Sequence, residues 1–301
     1  MQHCLNGWRL VWVLVSIPFF FSCTTKPIDL KFNPALGDRY TYLFEYDMQQ
    51  QFMGQPVNTT LKAAFFMEVT GQEGAEKIIQ ARYDRFALNL QSPSGSIAAD
   101  TDQPAPDAEA IKADPSKMIS RLYHAIKGQS FTIRINTRGE VTAVKGFDTI
   151  IDRITTAVMT DLVLPEAQRE VIKSTAGGQF NETVIRDMMQ QTFYIYPGNP
   201  AKAGDQWTTR LTVQQGFPLS VATTYTLQSI SGKEIRLDTR STLEGDLQPG
   251  SMLGGEQTGV LVVDAATGML LSAVTQQRLK GIINGGDMNM TTKGTVTGKK
   301  L

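Results

Sequence analysis

The chain has 301 residues, with 29 basic and 29 acidic side chains, no formal net charge and 41% hydrophobic content. That balance excludes the clustered basic excess needed to grip nucleic acid or an anionic membrane, and the length suits one large domain or two small ones with a real core. Two Cys and two His leave too few ligands for the common zinc sites.

Residues 1–9 carry one basic side chain, Arg9; an apolar stretch over residues 10–21 and Ser22-Cys23 follow. A basic start, an apolar core of about 7–15 residues and a small residue at the cut compose an export signal. The core falls short of the roughly 20 residues that cross a bilayer. Phe20-Phe21-Ser22-Cys23 resembles the lipobox of bacterial lipoproteins, although the family prefers Leu where Phe20 stands. The resemblance implies cleavage of residues 1–22 and a covalent diacylglycerol and acyl chain on Cys23. No other cofactor is expected. An ordinary secretory signal with an incidental Cys, or an uncleaved anchor, is the plainer alternative. Thr24 and Thr25, with no Asp after the Cys, imply by resemblance to Gram-negative sorting an outer-membrane anchor facing the periplasm. Cleavage would remove His3, Cys4, Trp8 and Trp12, leaving His124, Trp207 and an acylated Cys23, so no disulfide could form within one chain.

Residues 23–36, with Pro27 and Pro34, read as a tether between lipid and fold. From Gly37 the apolar period becomes two: Tyr40, Tyr42, Phe44, Tyr46 and Met48 share one strand face. Gly54-Gln55-Pro56 turns the chain, a second strand alternates Leu61, Ala63, Phe65, Met67 and Val69, and a third spans residues 77–90. Residues 92–114, rich in Ser, Pro, Ala and Asp, read as a mobile acidic loop. Asp114-Pro115 predicts a helix start, with Met118, Ile119, Leu122 and Ile126 on one face and Gly128 at its end. After two short strands a longer helix begins at Phe147, with Ile150, Ile151, Ile154, Val158 and Leu162 at helical spacing. Pro165 breaks it; a second helix is expected to residue 174 and, beyond Gly177-Gly178, a third over residues 181–191.

The second half echoes the first. Gly204-Asp205-Gln206-Trp207 repeats Gly37-Asp38-Arg39-Tyr40, Gly216-Phe217-Pro218 repeats Gly54-Gln55-Pro56, and the turn Ala266-Thr267-Gly268 repeats Thr137-Arg138-Gly139. The expected fold is α+β and mainly antiparallel: about eleven strands in two similar halves, forming a curved sheet or incomplete barrel with three or four covering helices. The domain plan is one two-lobed unit over residues 37–301: a β half at 37–146, a helical cover at 147–196 and a second β half at 197–301.

Two resemblances follow. Leu30-Lys31-Phe32, the run Gly37-Asp38-Arg39-Tyr40-Thr41-Tyr42, the Gly54-Gln55-Pro56 turn and Gly139-Glu140-Val141 look like the uncharacterised lipoprotein family catalogued as domain of unknown function 6263. Its motifs are structural turns and assign no chemistry. More distantly, the element count and order resemble the half-open barrels of lipoprotein carriers and lipid-binding lipoproteins, which implies acyl chains held between a concave sheet and its helices.

Catalytic candidates are sparse. Asp100-Thr101-Asp102 lacks the Gly and terminal Glu of a Ca²⁺ loop, Gly250-Ser251-Met252-Leu253-Gly254 misplaces the Ser of a nucleophile elbow, and Gly254-Gly255 with Gly259 lacks the spacing of a nucleotide fingerprint. His124 reads as a surface or edge residue, and Glu45 with Asp47 as a solvated strand face rather than a glycosidase pair. The aromatic face is the stronger candidate. Tyr40, Tyr42, Phe44, Tyr46, Met48, Phe65, Met67 and Trp207 are expected either to fill an ordinary core or to line a cavity for an apolar ligand. The leading expectation is a non-catalytic, membrane-tethered lipoprotein holding a lipid or other apolar ligand. The alternative is an accessory lipoprotein that binds an envelope protein; a hydrolase ranks third, and neither a metal nor nucleic acid is expected.

Overall fold

The computed structural model describes residues 26–160, 162, 165–214, 218–245, 251–283 and 285–301. The signal and Cys23 lie outside the described residues, as do Gly216 and Phe217.

Six strands come from the first half: β1 (Arg39–Phe52), β2 (Gln55–Glu73), β3 (Glu76–Ser92), β4 (Gly95–Asp100), β5 (Ser130–Ile135) and β6 (Val141–Lys145). Six come from the second: β7 (Gln206–Gln214), β8 (Pro218–Ser231), β9 (Glu234–Gly245), β10 (Met252–Asp264), β11 (Leu270–Ile283) and β12 (Gly286–Lys300). All twelve join one sheet in the order β6-β5-β3-β2-β1-β12-β11-β10-β9-β8-β7, with β4 pairing the far half of β3. Hairpins make sequence neighbours sheet neighbours. The exceptions are β5, which pairs with β3 past the intervening β4, and β12, which lies antiparallel to β1 over nearly its whole length, Tyr40 opposite Lys300 and Phe52 opposite Met288. The sheet curves without closing: β6 and β7 are its two edges.

The helices α1 (Ala108–Ala113), α2 (Lys117–Ile126), α3 (Phe147–Met159), α4 (Glu166–Gln179) and α5 (Glu182–Phe193) follow β4 and β6. Helix α4 runs through Gly177-Gly178, where a break was expected, and the break falls at Phe180 instead, with the Asn181 side chain capping α5 by accepting from Val184 N at 2.9 Å. Before α2, the Asp114 carboxylate accepts from Ser116 N at 3.0 Å and from its hydroxyl at 2.6 Å, so the cap residue is Ser116, two positions later than expected.

The segment read as a mobile acidic loop contains regular structure, β4 and α1, and two of its acids are held by ion pairs: Arg85 binds Asp100 and Asp102, each at 2.9 Å, and Lys127 reaches Asp102 at 3.1 Å. The tether is shorter than expected as well. Ile28 bridges to Ala201, and Leu30 and Phe32 are buried.

The internal duplication is visible in backbone detail. Gly37 N donates to Val69 O and Val69 N to Asp38 O; Gly204 N donates to Leu227 O and Leu227 N to Asp205 O. Asp38 and Asp205 each accept from the backbone N–H three residues earlier, at 3.1 and 3.0 Å. The two echoed turns face one another across residues 31–33 and 193–196: Phe32 N donates to Thr137 O and Asn33 N to Thr267 O. Both turns need glycine. Gly139 and Gly268 have φ of +79° and +73°, and a Cβ would collide with Phe193 O at the first and Lys31 O at the second.

Gly139→Ala and Gly268→Ala should each lower unfolding free energy by about 2 kcal/mol or more, because a left-handed conformation and a backbone collision add. Gly54→Ala, in an open turn with φ of +77° and no atom near the added carbon, should cost about 1 kcal/mol. Urea titration of the three variants checks the ranking.

Candidate functional site

Alternation along β1 and β2 puts Tyr40, Tyr42, Phe44, Tyr46, Met48, Phe65 and Met67 on the concave face. The helices cover one end of that face. Phe193 of α5 meets Tyr42 edge-on with ring centres 5.6 Å apart, Tyr123 of α2 stacks on Phe86 at 5.3 Å, and Phe147 of α3 packs on Phe131 at 5.0 Å. Tyr40, Tyr42, Phe44, Phe65 and Met67 are at most 2% exposed: under the helices the face is solid core. The Tyr42 hydroxyl donates to Leu270 O at 2.9 Å. Tyr83, at the centre of the same cluster, places its hydroxyl against no hydrogen-bond partner among the described residues. Tyr46 and Met48 lie further along β1, beyond the helices, and are half-buried; burial pushes the Tyr46 phenol up to about 12. Trp207 belongs to the other wing, where it stacks on Tyr225 with ring centres 5.7 Å apart and donates to Ile195 O at 2.9 Å.

The seam between the edges is the second feature. Helix α5 packs against both β6 and β7 and offers each an acceptor. Gln190 Oε1 takes the N–H of Val141 at 2.8 Å, and an Asp187 carboxylate oxygen takes the N–H of Gln214 at 2.7 Å. Two side chains one helical turn apart thus stand in for the missing strand. Burial raises the Asp187 carboxyl above its ordinary range, against the opposing pull of the Gln214 N–H and the Arg186 charge. A surface cavity of about 540 Å³ opens beside this seam, lined by Phe147 and Ile151 of α3, residues 181–184 and Gln214. Another, of about 480 Å³, lies on the β7–β9 wing around Arg210, Thr212, Ser220 and Glu244. Neither is lined by any of the aromatic or Met candidates.

Past the helices the concave face continues uncovered. Rows follow from the register: Tyr46 lies opposite Leu61 and Gly294, Leu61 opposite Leu88, and Met48 opposite Thr59 and Thr292. Tyr46, Met48, Leu61, Leu88, Leu90 and Met290 on this stretch are all half-buried. At its far end Val213, Leu219, Leu243, Leu253, Leu279 and Met288 form a second buried cluster. On this stretch the charged side chains of β1 and β2 take the opposite parity and face outward, as in the pair Lys62–Glu45 at 2.6 Å.

That pair places Glu45 on the outer face, in an ion pair. Asp100 and Asp102 are held by Arg85 and Lys127, and no group of three or more His, Cys, Asp or Glu is placed to hold a metal among the described residues. His124 sits in α2 with Nδ1 2.8 Å from Ser120 O and Nε2 2.8 Å from Gln103 O. Sequence reasoning missed Asp187 and Gln190, whose partners are edge backbone groups that a sequence does not reveal.

Residues 74–270 match a family of unknown function, number 6263. The chain belongs to this family. No curated protein matches it. Among solved structures it is similar to lipovitellin, studied for its lipid–protein interactions, with a TM-score of 0.48 and 7% identity over 88% of this chain and 25% of that one. It spans only a quarter of lipovitellin's length. An outer membrane channel of Pseudomonas putida F1 matches with a TM-score of 0.27 and 6% identity over 91% of this chain and 100% of the channel. OpdL of Pseudomonas aeruginosa gives 0.29 and 8% over 88% and 99%. The family carries no assigned function.

Asp187→Ala strands the Gln214 N–H and should cost about 1 kcal/mol. Asp187→Asn keeps an acceptor and removes a charge that burial disfavours, so it should match or exceed the wild type at neutral pH. The raised folded-state pKa means the carboxyl's contribution is full below its ordinary value of 3.8 and declines as pH rises through the raised value. Urea unfolding from pH 3 to 7 should show that slope in the wild type and not in Asp187→Asn. Tyr83→Phe, which deletes a buried hydroxyl with no partner, should gain about 1 kcal/mol in the same assay.

Proposed function

We propose that the protein is a lipid-anchored envelope protein without catalytic activity, which holds an apolar ligand on the uncovered part of its concave sheet face. The observation that carries this reading is the half-buried stretch Tyr46, Met48, Leu61, Leu88 and Leu90, which continues the aromatic core beyond the helices. Burying an acyl chain there is favourable by about 0.8 kcal/mol per methylene. The helices supply a wall rather than a roof, since the face beneath them is filled. The anchor rests on the lipobox resemblance at Cys23, and an outer-membrane, periplasm-facing position rests on Thr24 and Thr25.

Two measurements test it. Cys23→Ala should move the protein from the membrane to the soluble fraction; retention on the membrane contradicts the anchor. Solvent extraction and mass spectrometry of the purified wild type should release an acyl-chain compound near one per chain, and its absence contradicts the ligand. One observation favours a second reading. The solid packing of Tyr40, Tyr42, Phe44, Phe65 and Met67 suits an accessory lipoprotein whose outer face meets an envelope protein, and cross-linking in cells without any bound lipid would support it.

A further inference from the structure

One row of the concave face is polar at every position across the second half. Residues opposite one another across the second half run Thr209, Thr223, Ser241, Gln257, Gln277 and Thr292. An apolar row, Val221, Leu243, Leu279 and Met290, flanks it on the side away from the helices, and a mixed row, Trp207, Tyr225, Thr239, Gly259, Thr275 and Gly294, flanks it on the helix side. The row splits into two parts with different fates. On β7–β9 it is structural. Thr209 and Ser241 are buried, Thr223 Oγ1 lies 2.8 Å from Ser241 Oγ, and the Tyr225 hydroxyl bonds to Thr209 and Thr223. On β10–β12 it is not. Gln257, Gln277 and Thr292 are half-buried, and their side chains make no hydrogen bond among the described residues.

Gly255 and Gly259 flank Gln257 at the same strand parity, and Gly294 flanks Thr292; the Leu279 side chain closes over Gly255, Thr275 over Gly259, and Thr275 with Tyr46 over Gly294. The row then continues onto β1 at Met48, opposite Thr292, beside Tyr46 and Leu61. Two carboxamides and a hydroxyl, each able to donate and accept, therefore adjoin an apolar wall. This inner row and its flanking rows contain no Lys, Arg, Asp or Glu. A phosphate or carboxylate placed here would be partly desolvated with no cation to pair it, which is costly. An ester, hydroxyl or glycosyl group would be satisfied.

We propose that Gln257, Gln277 and Thr292 form the headgroup subsite for an uncharged amphiphile of the acylglycerol kind, whose acyl chain runs along Met48, Tyr46 and Leu61. This deepens the apolar-ligand reading and rests on it. The test uses the full-length protein purified from membranes in detergent, delipidated, and titrated by native mass spectrometry. The probes are dipalmitoylglycerol, dipalmitoylphosphatidylglycerol and hexadecane. Dipalmitoylglycerol should bind one per chain and at least tenfold tighter than the anionic lipid. The double variant Gln257→Leu/Gln277→Leu should lose at least tenfold for dipalmitoylglycerol and change hexadecane less than twofold. Gln277→Asn, which shortens one carboxamide, reads the same loss if the double variant does not fold. Equal binding of the neutral and anionic lipids, or no loss in either variant, overturns the headgroup assignment and leaves the apolar site standing. Failure of all three probes, hexadecane included, overturns both.

Discussion

The fold depends on the pairing of β12 with β1. A meander of hairpins carries each half outward from its start, and without a join the halves would be two sheets with four exposed edges. Thirteen partners from Tyr40–Lys300 to Phe52–Met288 turn them into one sheet with a single pair of edges, and an Asp38–Lys300 ion pair at 2.7 Å holds the end of that join. The remaining edges are then brought close enough for one helix to serve both. Two polar side chains of α5 satisfy one N–H on each edge, where full closure would have required a continuous ladder. An incomplete barrel is therefore the consequence of a duplicated meander whose ends meet, with helices inserted between the copies.

Curvature has its own chemical cause. Long antiparallel strands coil tightly only where inward side chains are small. Gly255, Gly281 and Gly298 occupy such places: a Cβ at each would run into the carbonyl oxygen of Arg278, Met252 and Leu270 respectively. The second half, which carries these glycines on β10, β11 and β12, can fold its far end over its own Leu and Val residues and bury them without a helix. The first half keeps bulky Tyr and Phe at the matching positions, so its face needs an outside cover. Helices α2 to α5 provide it.

Much of this was legible from the sequence because period-two apolar alternation and positive-φ glycines leave direct marks. The faces of β1 and β2, the long helix from Phe147 and the paired turns at Gly139 and Gly268 were all visible there. The acidic segment was not, because its Asp residues look like solvent-seeking residues until Arg85 and Lys127, the one earlier and the other later in the chain, are brought to them. Gly177-Gly178 misled for a similar reason: local propensity favours a break there, and the burial of Ala176 and Phe180 overrides it. For the site, the sequence pointed to the aromatic residues, and the fold divides them. Those under the helices fill space, whereas Tyr46 and Met48 reach the open stretch. Gln257 and Gln277 also left a mark, since they take inward parity between Leu253 and Leu261 and beside Leu279, but two polar residues within an apolar alternation carry weight only once the register shows them side by side.

The contrast within that polar row is the strongest physical argument about what the molecule does. Position by position the row faces the same demand: a polar side chain turned inward must replace the water it loses. On β7–β9 the demand is met internally, by a hydroxyl network that closes on Tyr225. On β10–β12 two of the three side chains are longer, Gln257 lies between two glycines, and the donors and acceptors of Gln257, Gln277 and Thr292 find no partner among the described residues. Were the row purely structural, Leu or Val at 257 and 277 would extend the apolar row of Leu243 and Leu279, with a gain of about 25 cal/mol for each Å² of apolar surface removed from water. Retaining amides there forgoes that gain, and an amphiphile's headgroup is a partner that would recover it.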